Sequence, residues 1–260
     1  VWVSIFVNPT QFNETRDFQS YPADLAADSE ACRAAGVDLV YTPGVEDLYP
    51  EAAETWVDVE ELTRPLCGAG RPGHFRGVTT VVAKLFLAAK PHVAVFGEKD
   101  FQQLAAVRRM SRDLGFDIDI VGSPTVREPD GLALSSRNVR LGPLARQQAT
   151  ALVRSLGEAE QAVLAGERDR DRFLERARKV LAEAPRAEVE YVELRDPQSL
   201  ALAPDVLDGP TLLALAVHFP EDPDGRGNPV RLIDNRVIAP GSPADAPRPV
   251  GSSPVLEERT

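Results

Sequence analysis

Cysteine is nearly missing from this chain: Cys32 and Cys67 are the two present in 260 residues. Neither sits in a C-x-x-C or zinc-type spacing, so a disulfide scaffold and a cysteine-held metal lack support. Sparse cysteine favours a reducing, cytoplasmic setting. Basic excess is missing too: Lys and Arg number 29 against 40 Asp and Glu, a formal net charge of −11. Nucleic-acid grooves carry a basic stripe, so nucleic acid is not an expected partner. A small local basic pocket for a phosphate-bearing ligand stays compatible. No run approaches the ~18 consecutive apolar residues that would span a membrane, and no signal-peptide pattern opens the chain. The patterns G-x-x-x-x-G-K-[ST], G-x-G-x-x-G and G-x-S-x-G do not occur, so P-loop, dinucleotide and nucleophile-elbow readings have nothing to stand on.

What is present is an apolar share of 43%, enough for a sizeable core. Residues 1–7 form a short apolar run ended by Asn8-Pro9, the pattern of a buried parallel strand. A helix is expected over 22–35, with Leu25, Cys32 and Ala35 on one face and Gly36 as its stop. A strand follows over 37–42. Val78, Val81, Val82, Leu85 and Phe86 recur at helical spacing. A strand over 93–96, a helix over 100–114 and a strand over 118–121 come next. In that helix Phe101, Leu104, Val107 and Leu114 are expected to face inward. Strands alternating with helices predict a parallel sheet with helices on both faces.

The pattern then changes. Helices are expected over 144–164 and around Phe173 to Leu181, and strands over 188–194, 211–217 and 230–233. This predicts an α/β domain over 1–125 and a smaller α+β domain over 126–238. Residues 239–260 are Pro, Ser, Ala and charge without periodicity, the composition of a disordered tail.

Ligands of open α/β sheets bind beyond the carboxyl ends of the strands, so four segments hold interest. Gly97-Glu98-Lys99-Asp100 follows a strand: Asp100 and Gln103 have capping-box spacing, and Lys99 would suit a phosphate at a helix start. A capped helix with a solvated lysine explains the segment equally well. Asn8 to Phe12 offers the amides of Asn8 and Gln11 to a hydroxyl or carboxylate, though a plain Asn-Pro turn is the simpler reading. Gly131 to Asn138 carries Leu134, Ser135, Ser136 and Arg137, either a phosphate clamp or an interdomain turn with a capping serine. Arg71, His74 and Arg76 precede a helix and form an anion pocket or a loop tied by side-chain bonds. His92 and His218 sit at strand ends and read as structural. Glu98 and Glu128 lack metal-ligand spacing and read as solvated acids.

These segments stand in an ordered series: SIFVNPTQF, RPGHFRGVTTVVAKLF, VFGEKDFQQLAAVRRM, PTVREPDGLALSSRN, YVELRD and RLIDN. Together they resemble the pantothenate synthetase (pantoate–β-alanine ligase) family over residues 1–238. The resemblance implies a Rossmann-like parallel sheet of the class I aminoacyl-tRNA synthetase-like nucleotidyltransferase type, followed by a smaller α+β domain. It implies ATP and pantoate forming pantoyl adenylate, β-alanine displacing AMP, Mg2+ accompanying ATP, and a homodimer. By position, Asn8, Gln11 and Gln103 would bind pantoate, and Gln11, Arg71 and His74 β-alanine. Gly97, Glu98, Lys99, Asp100, Val126, Leu134, Ser135, Ser136 and Arg137 would bind ATP. Lys99 and Arg137 would act on the reacting phosphates. No protein ligand for the metal is implied: Asp28 is present, but Ala27 and Ala31 supply no donor.

The family's first signature, an H-x-G-H turn, does not occur in this sequence; with its strand and helix it would precede Val1. A catalytically impaired remnant that binds nucleotide or a partner is the reading left open by that difference. A different nucleotidyltransferase of the same fold is another, against which Gln11 and Gln103 weigh. Residues 219–229 read as an expanded loop on a peripheral hairpin.

Overall fold

A computed structural model of the chain describes residues 1–13, 18, 21 and 23–239. The expected tail lies outside these residues beyond Ala239, and so does the start of the helix expected from residue 22.

The first half alternates strand and helix. Strand β1 is Trp2–Ser4 and pairs in parallel with β2, Leu39–Tyr41, in the register Val3 to Val40. Between them runs helix α1, Leu25–Ala34, opened by Asp24 accepting a hydrogen bond from the Ala27 amide at 3.0 Å. The one-turn helices α2, Val45–Leu48, and α3, Cys67–Gly70, follow. Helix α4 is His74–Ala89, strand β3 is Val93–Gly97, helix α5 is Phe101–Asp113, and strand β4 is Asp119–Ser123. Strands β3 and β4 are parallel, with Val95 beside Val121.

The apolar stripe of α4 finds its partners here. Val78, Val81, Val82 and Phe86 pack with Val107 and Met110 of α5 and with Ala94, Phe96 and Ile120 of the β3–β4 pair. Burying each such side chain stabilises the fold by about 1.5–3 kcal/mol. The strands pair in parallel and alternate with helices as expected, and three details differ. Among the described residues, β1–β2 and β3–β4 are separate two-stranded ladders. Helices cover one face of β3: Val93 and Val95 alternate with Ala94 and Phe96 and stay exposed. Leu25 and Leu114 are exposed as well, because α1 buries none of its residues and Leu114 lies past the end of α5.

The second half begins with α6, Pro143–Ala149, and α7, Ala151–Leu164. One continuous helix was expected there. The chain breaks at Thr150, whose hydroxyl donates back to the Gln147 carbonyl at 2.9 Å. Helix α8, Arg170–Ala182, is opened by Asp169, which accepts from the amides of Asp171 and Arg172. Strands β5, Glu188–Arg195, β6, Thr211–Phe219, and β7, Val230–Ile238, form an antiparallel sheet with β6 in the middle.

The unbroken apolar run of β6 has a structural cause. Leu213, Leu215 and Val217 face α7 and α8, joining Leu152, Leu156, Phe173 and Leu181 in one core. Leu212 and Ala214 face the other way, onto Leu62, Leu66 and Ala105 of the first half. A strand buried on both faces reads as continuous hydrophobicity. This docking also brings β5 and β7 against α3 and α5, where the cavity forms. The loop over 219–229 is more than a peripheral extension. Its Asp222 is buried and accepts from the amides of Leu144 and Ala145 at 2.9 and 3.1 Å, capping α6 from a distant part of the chain.

Candidate active site

The carboxyl end of β3 turns through a 3-10 segment, Glu98–Asp100, before α5 begins. The tight turn sets Lys99 facing a cavity, with its ammonium 3.8 Å from Asp100. The capping box expected of Asp100 and Gln103 is not formed, since Asp100 makes no side-chain cap bond. Its backbone enters α5 from the 3-10 turn at φ −93°, ψ 57°, not from the extended conformation a capping residue adopts. Asn235 of β7 holds the turn by donating to the carbonyls of Glu98 and Lys99 at 3.0 and 2.8 Å.

Beyond β1, Pro9–Gln11 forms a second 3-10 turn. Asn8 is buried beneath it. Its Oδ1 accepts from the amide and hydroxyl of Thr10, and its Nδ2 donates to the Gly77 carbonyl and to Gln11 Oε1. Two donations and two acceptances use the hydrogen-bonding capacity of that amide. Asn8 therefore fastens the turn and orients Gln11.

The Gln11 carbonyl is gripped from the other side. His74 Nδ1 lies 2.6 Å from it, and Arg71 Nη2 donates to it at 3.1 Å. A carbonyl only accepts, so Nδ1 carries the proton. Arg71 Nη1 lies 3.3 Å from His74 Nε2. A guanidinium only donates, so Nε2 accepts and the ring is neutral. Burial first, and then the charge of Arg71, lower the pKa of His74 from 6.5 to about 4.

The segment after β4 folds back on itself. Leu134 donates its amide to the Val126 carbonyl at 2.8 Å, and Arg127 pairs with Ala133 across an isolated antiparallel bridge. Gly131 turns the chain at φ 89°, a conformation glycine adopts without strain. Ser135 Oγ then accepts from the Arg137 amide at 3.2 Å and opens a 3-10 segment, Ser136–Arg140. Ser136 donates to the Tyr21 hydroxyl at 3.4 Å, and the Arg137 guanidinium lies 5.7 Å from the Tyr21 ring centre. Glu128 is not a solvated acid: Asn138 and Arg146 hydrogen-bond it and lower its pKa.

These loops enclose a cavity of about 810 Å³. Arg71, His74, Lys99, Asp100, Gln103, Ser135 and Arg137 all line it. Asn8, Gln11, Gly97, Glu98, Val126, Leu134 and Ser136 do not. Asn8 and Gln11 sit behind the Arg71–His74 pair, while Val126 and Leu134 are exposed. Among the described residues, the cavity lining reverses the sign of the whole chain. Arg71, Lys99, Arg137, Arg140 and Arg231 line it, with Asp100, Glu190 and, buried on the other face of β7, Asp234. Two of those carboxylates are already engaged in paired hydrogen bonds, Glu190 with Arg231 and Asp234 with Arg127. A pocket with excess positive charge attracts a polyanion into an otherwise acidic protein.

Arg140, Arg231 and Asn235 received no role from sequence. Arg231 and Asn235 belong to the RLIDN segment, and their alternation with Leu232 and Asp234 was the available signal. Arg231 extends over the Tyr191 ring and toward Cys67 Sγ at 3.5 Å, forming the cavity floor.

Comparison with known proteins supplies relatives for the chain. The family model described as Pantoate-beta-alanine ligase matches residues 1–237. The pantothenate synthetase of Geobacter sulfurreducens is 51% identical over 91% of this chain and 80% of its own length. A solved pantothenate synthetase from Thermus thermophilus is 46% identical with a TM-score of 0.84, covering 91% of this chain and 82% of that one. The pantoate-beta-alanine ligase of Francisella tularensis, complexed with beta-gamma ATP and beta-alanine, is 30% identical with a TM-score of 0.70, covering 91% of this chain and 78% of that one.

Proposed function

The chain belongs to the pantoate–β-alanine ligase family, and on that premise we propose that it condenses pantoate with β-alanine at the expense of ATP. A pantoate carboxylate oxygen attacks the α-phosphorus of ATP, and the bond to the leaving pyrophosphate breaks. The amine of β-alanine then attacks the acyl carbon of pantoyl adenylate. A C–N bond forms, the C–O bond to AMP breaks, and the amine loses its proton. Pantothenate and AMP leave.

The observation that carries this reading is the cationic cavity at the end of β3, where Lys99 and Arg137 face one space. Two anions must be brought together, so positioning and charge stabilisation supply most of the rate. Lys99 and Arg137 offset charge on the phosphates, and Ser135 and Ser136 hold phosphate oxygens. Gly97, Glu98 and Asp100 take the adenosine side, with Val126 and Leu134 at the adenine. Gln11 and Gln103 hold pantoate, and Asn8 acts by orienting Gln11. Arg71 receives the β-alanine carboxylate. Neutral His74 keeps Arg71 and the Gln11 turn in place and adds no second charge there. Residues 1–125 make the nucleotide and pantoate side, and residues 126–238 supply the clamp.

Mg2+ enters on the triphosphate. Among the described residues no group of three His, Cys, Asp or Glu side chains could hold a metal. Held on the triphosphate, Mg2+ would offset charge on the phosphate oxygens. No described helix is long and apolar enough to cross a membrane. The free thiols Cys32 and Cys67 suit a reducing cytoplasm, and two copies associate as a homodimer.

The test is pyrophosphate release by the full chain with ATP, Mg2+ and a panel of small hydroxy acids. Release should require pantoate, and pantothenate should appear only when β-alanine is added. Release with another acid and none with pantoate would assign a different nucleotidyltransferase; ATP binding without release would mark an impaired ligase.

A further inference from the structure

The two loops proposed to hold ATP are both gripped by one pair of neighbouring residues on β7. Asn235 faces the first half of the molecule and donates to the carbonyls of Glu98 and Lys99 at 3.0 and 2.8 Å. Asp234 points to the opposite face, as successive strand residues do. It is 2% exposed and accepts two hydrogen bonds from Arg127, at 2.7 and 2.9 Å. Arg127 also donates to the Gly131 carbonyl at 3.0 Å, closing the turn that leads into Ser135–Arg137. Asp234 additionally accepts the Asn235 amide at 2.8 Å, which links the two grips.

A carboxylate on a core-facing strand position is costly unless paired, and here it is fully paired. An asparagine that donates to two consecutive carbonyls fixes the course of the Glu98–Asp100 turn. Lys99 and Arg137 lie on different loops, and both loops are referenced to the same two residues of β7. The rigid antiparallel pairing of β7 with β6 runs from Thr211–Ile238 to Phe219–Val230, so that reference point is firm.

We propose that Asp234 and Asn235 are positioning residues which set Lys99 against the Ser135–Arg137 loop, so that the triphosphate meets a preassembled site. This rests on the ligase reading above. The side-chain amide of Asn235 is committed to the Glu98 and Lys99 carbonyls, so it acts through the turn that carries Lys99. Two hydrogen bonds of ordinary net strength correspond to about a 5- to 100-fold effect.

The experiment is a double-mutant cycle in the full chain, read by pantoate-dependent pyrophosphate release. Asn235→Ala should lower kcat/KM for ATP about 5- to 100-fold in the wild-type background. In a Lys99→Ala background the same change should cost less than about three-fold, because the group it positions is gone. Asn235→Ser, which keeps one donor, should fall between wild type and Asn235→Ala, and it carries the cycle if Asn235→Ala does not fold. Equal losses in both backgrounds would overturn the positioning role while leaving the ligase reading standing. A wild-type chain that releases no pyrophosphate from ATP and pantoate would overturn both.

Discussion

Replacing His74 by asparagine separates one titration from every other acid-sensitive group in the fold. Asparagine Nδ2 occupies the place of His74 Nδ1 and keeps a donor toward the Gln11 carbonyl, 2.6 Å away in the wild type. It cannot take up a proton. In the folded chain the pKa of His74 is about 4, lowered by burial and then by Arg71, against 6.5 for an exposed imidazole. The unfolded chain therefore binds the proton first as pH falls, and stability declines through the window from 6.5 down to about 4. Above 6.5 both states are neutral and the effect vanishes. Integrating across the two values gives a loss of about 2 kcal/mol at pH 5 and about 3 kcal/mol at pH 4. Urea unfolding of both proteins at several pH values reads this directly. With a slope of about 2 kcal/mol per molar, the wild-type midpoint should fall about 1 M further than that of His74→Asn between pH 7 and 5. Parallel pH curves for the two proteins would refute the reasoning, since His74 would then titrate normally in the folded state.

Lys99→Ala should lower pyrophosphate release about 100- to 1,000-fold, the cost of losing one charge-stabilising donor. Its melting temperature should hardly move, because the wild-type contact with Asp100 is a loose 3.8 Å pair. Arg127→Met should cost about 3–5 kcal/mol in urea unfolding by stranding the buried Asp234, and Arg127→Met with Asp234→Leu should recover much of it. Gly77→Ala should lose about 1–3 kcal/mol, because its new Cβ would lie 2.5 Å from the Thr10 carbonyl oxygen. The same variant should weaken pantoate binding, since Asn8 donates to the Gly77 carbonyl at 3.1 Å.

Local signals carried much of the fold. Val78, Val81, Val82 and Phe86 are buried in α4 as their spacing required, and so are Phe173, Ala177, Val180 and Leu181 in α8. What stayed hidden was long-range. The break at Thr150 leaves the helical period of Leu152, Leu156 and Ala159 intact, so periodicity cannot reveal it. Asp222 reads as one polar loop residue among several, yet it caps α6 from 77 residues away. Asn235 reaches the Lys99 carbonyl across 136 residues, and no nearby residue type announces that contact. The candidate site followed the same division. The motif residues Lys99, Gln103, Ser135 and Arg137 gather in one cavity. Arg231 and Asn235 join them only because the β5–β7 sheet docks on α3 and α5, while Arg140 comes with Arg137 on the Ser136–Arg140 segment. Asn8 offers a versatile amide in the sequence; in the fold its hydrogen bonds go to Thr10, Gly77 and Gln11, so it shapes the pocket by orienting Gln11.

In the adenylate route a carboxylate oxygen of pantoate attacks the α-phosphorus inside a positively charged crevice. Pantoate labelled with 18O in its carboxyl group, turned over by the full chain with ATP, Mg2+ and β-alanine, follows that oxygen. Mass spectrometry of the nucleotide product should find one labelled oxygen in AMP and none in pyrophosphate. Unlabelled AMP, or ADP formed with labelled inorganic phosphate, would contradict the adenylate route.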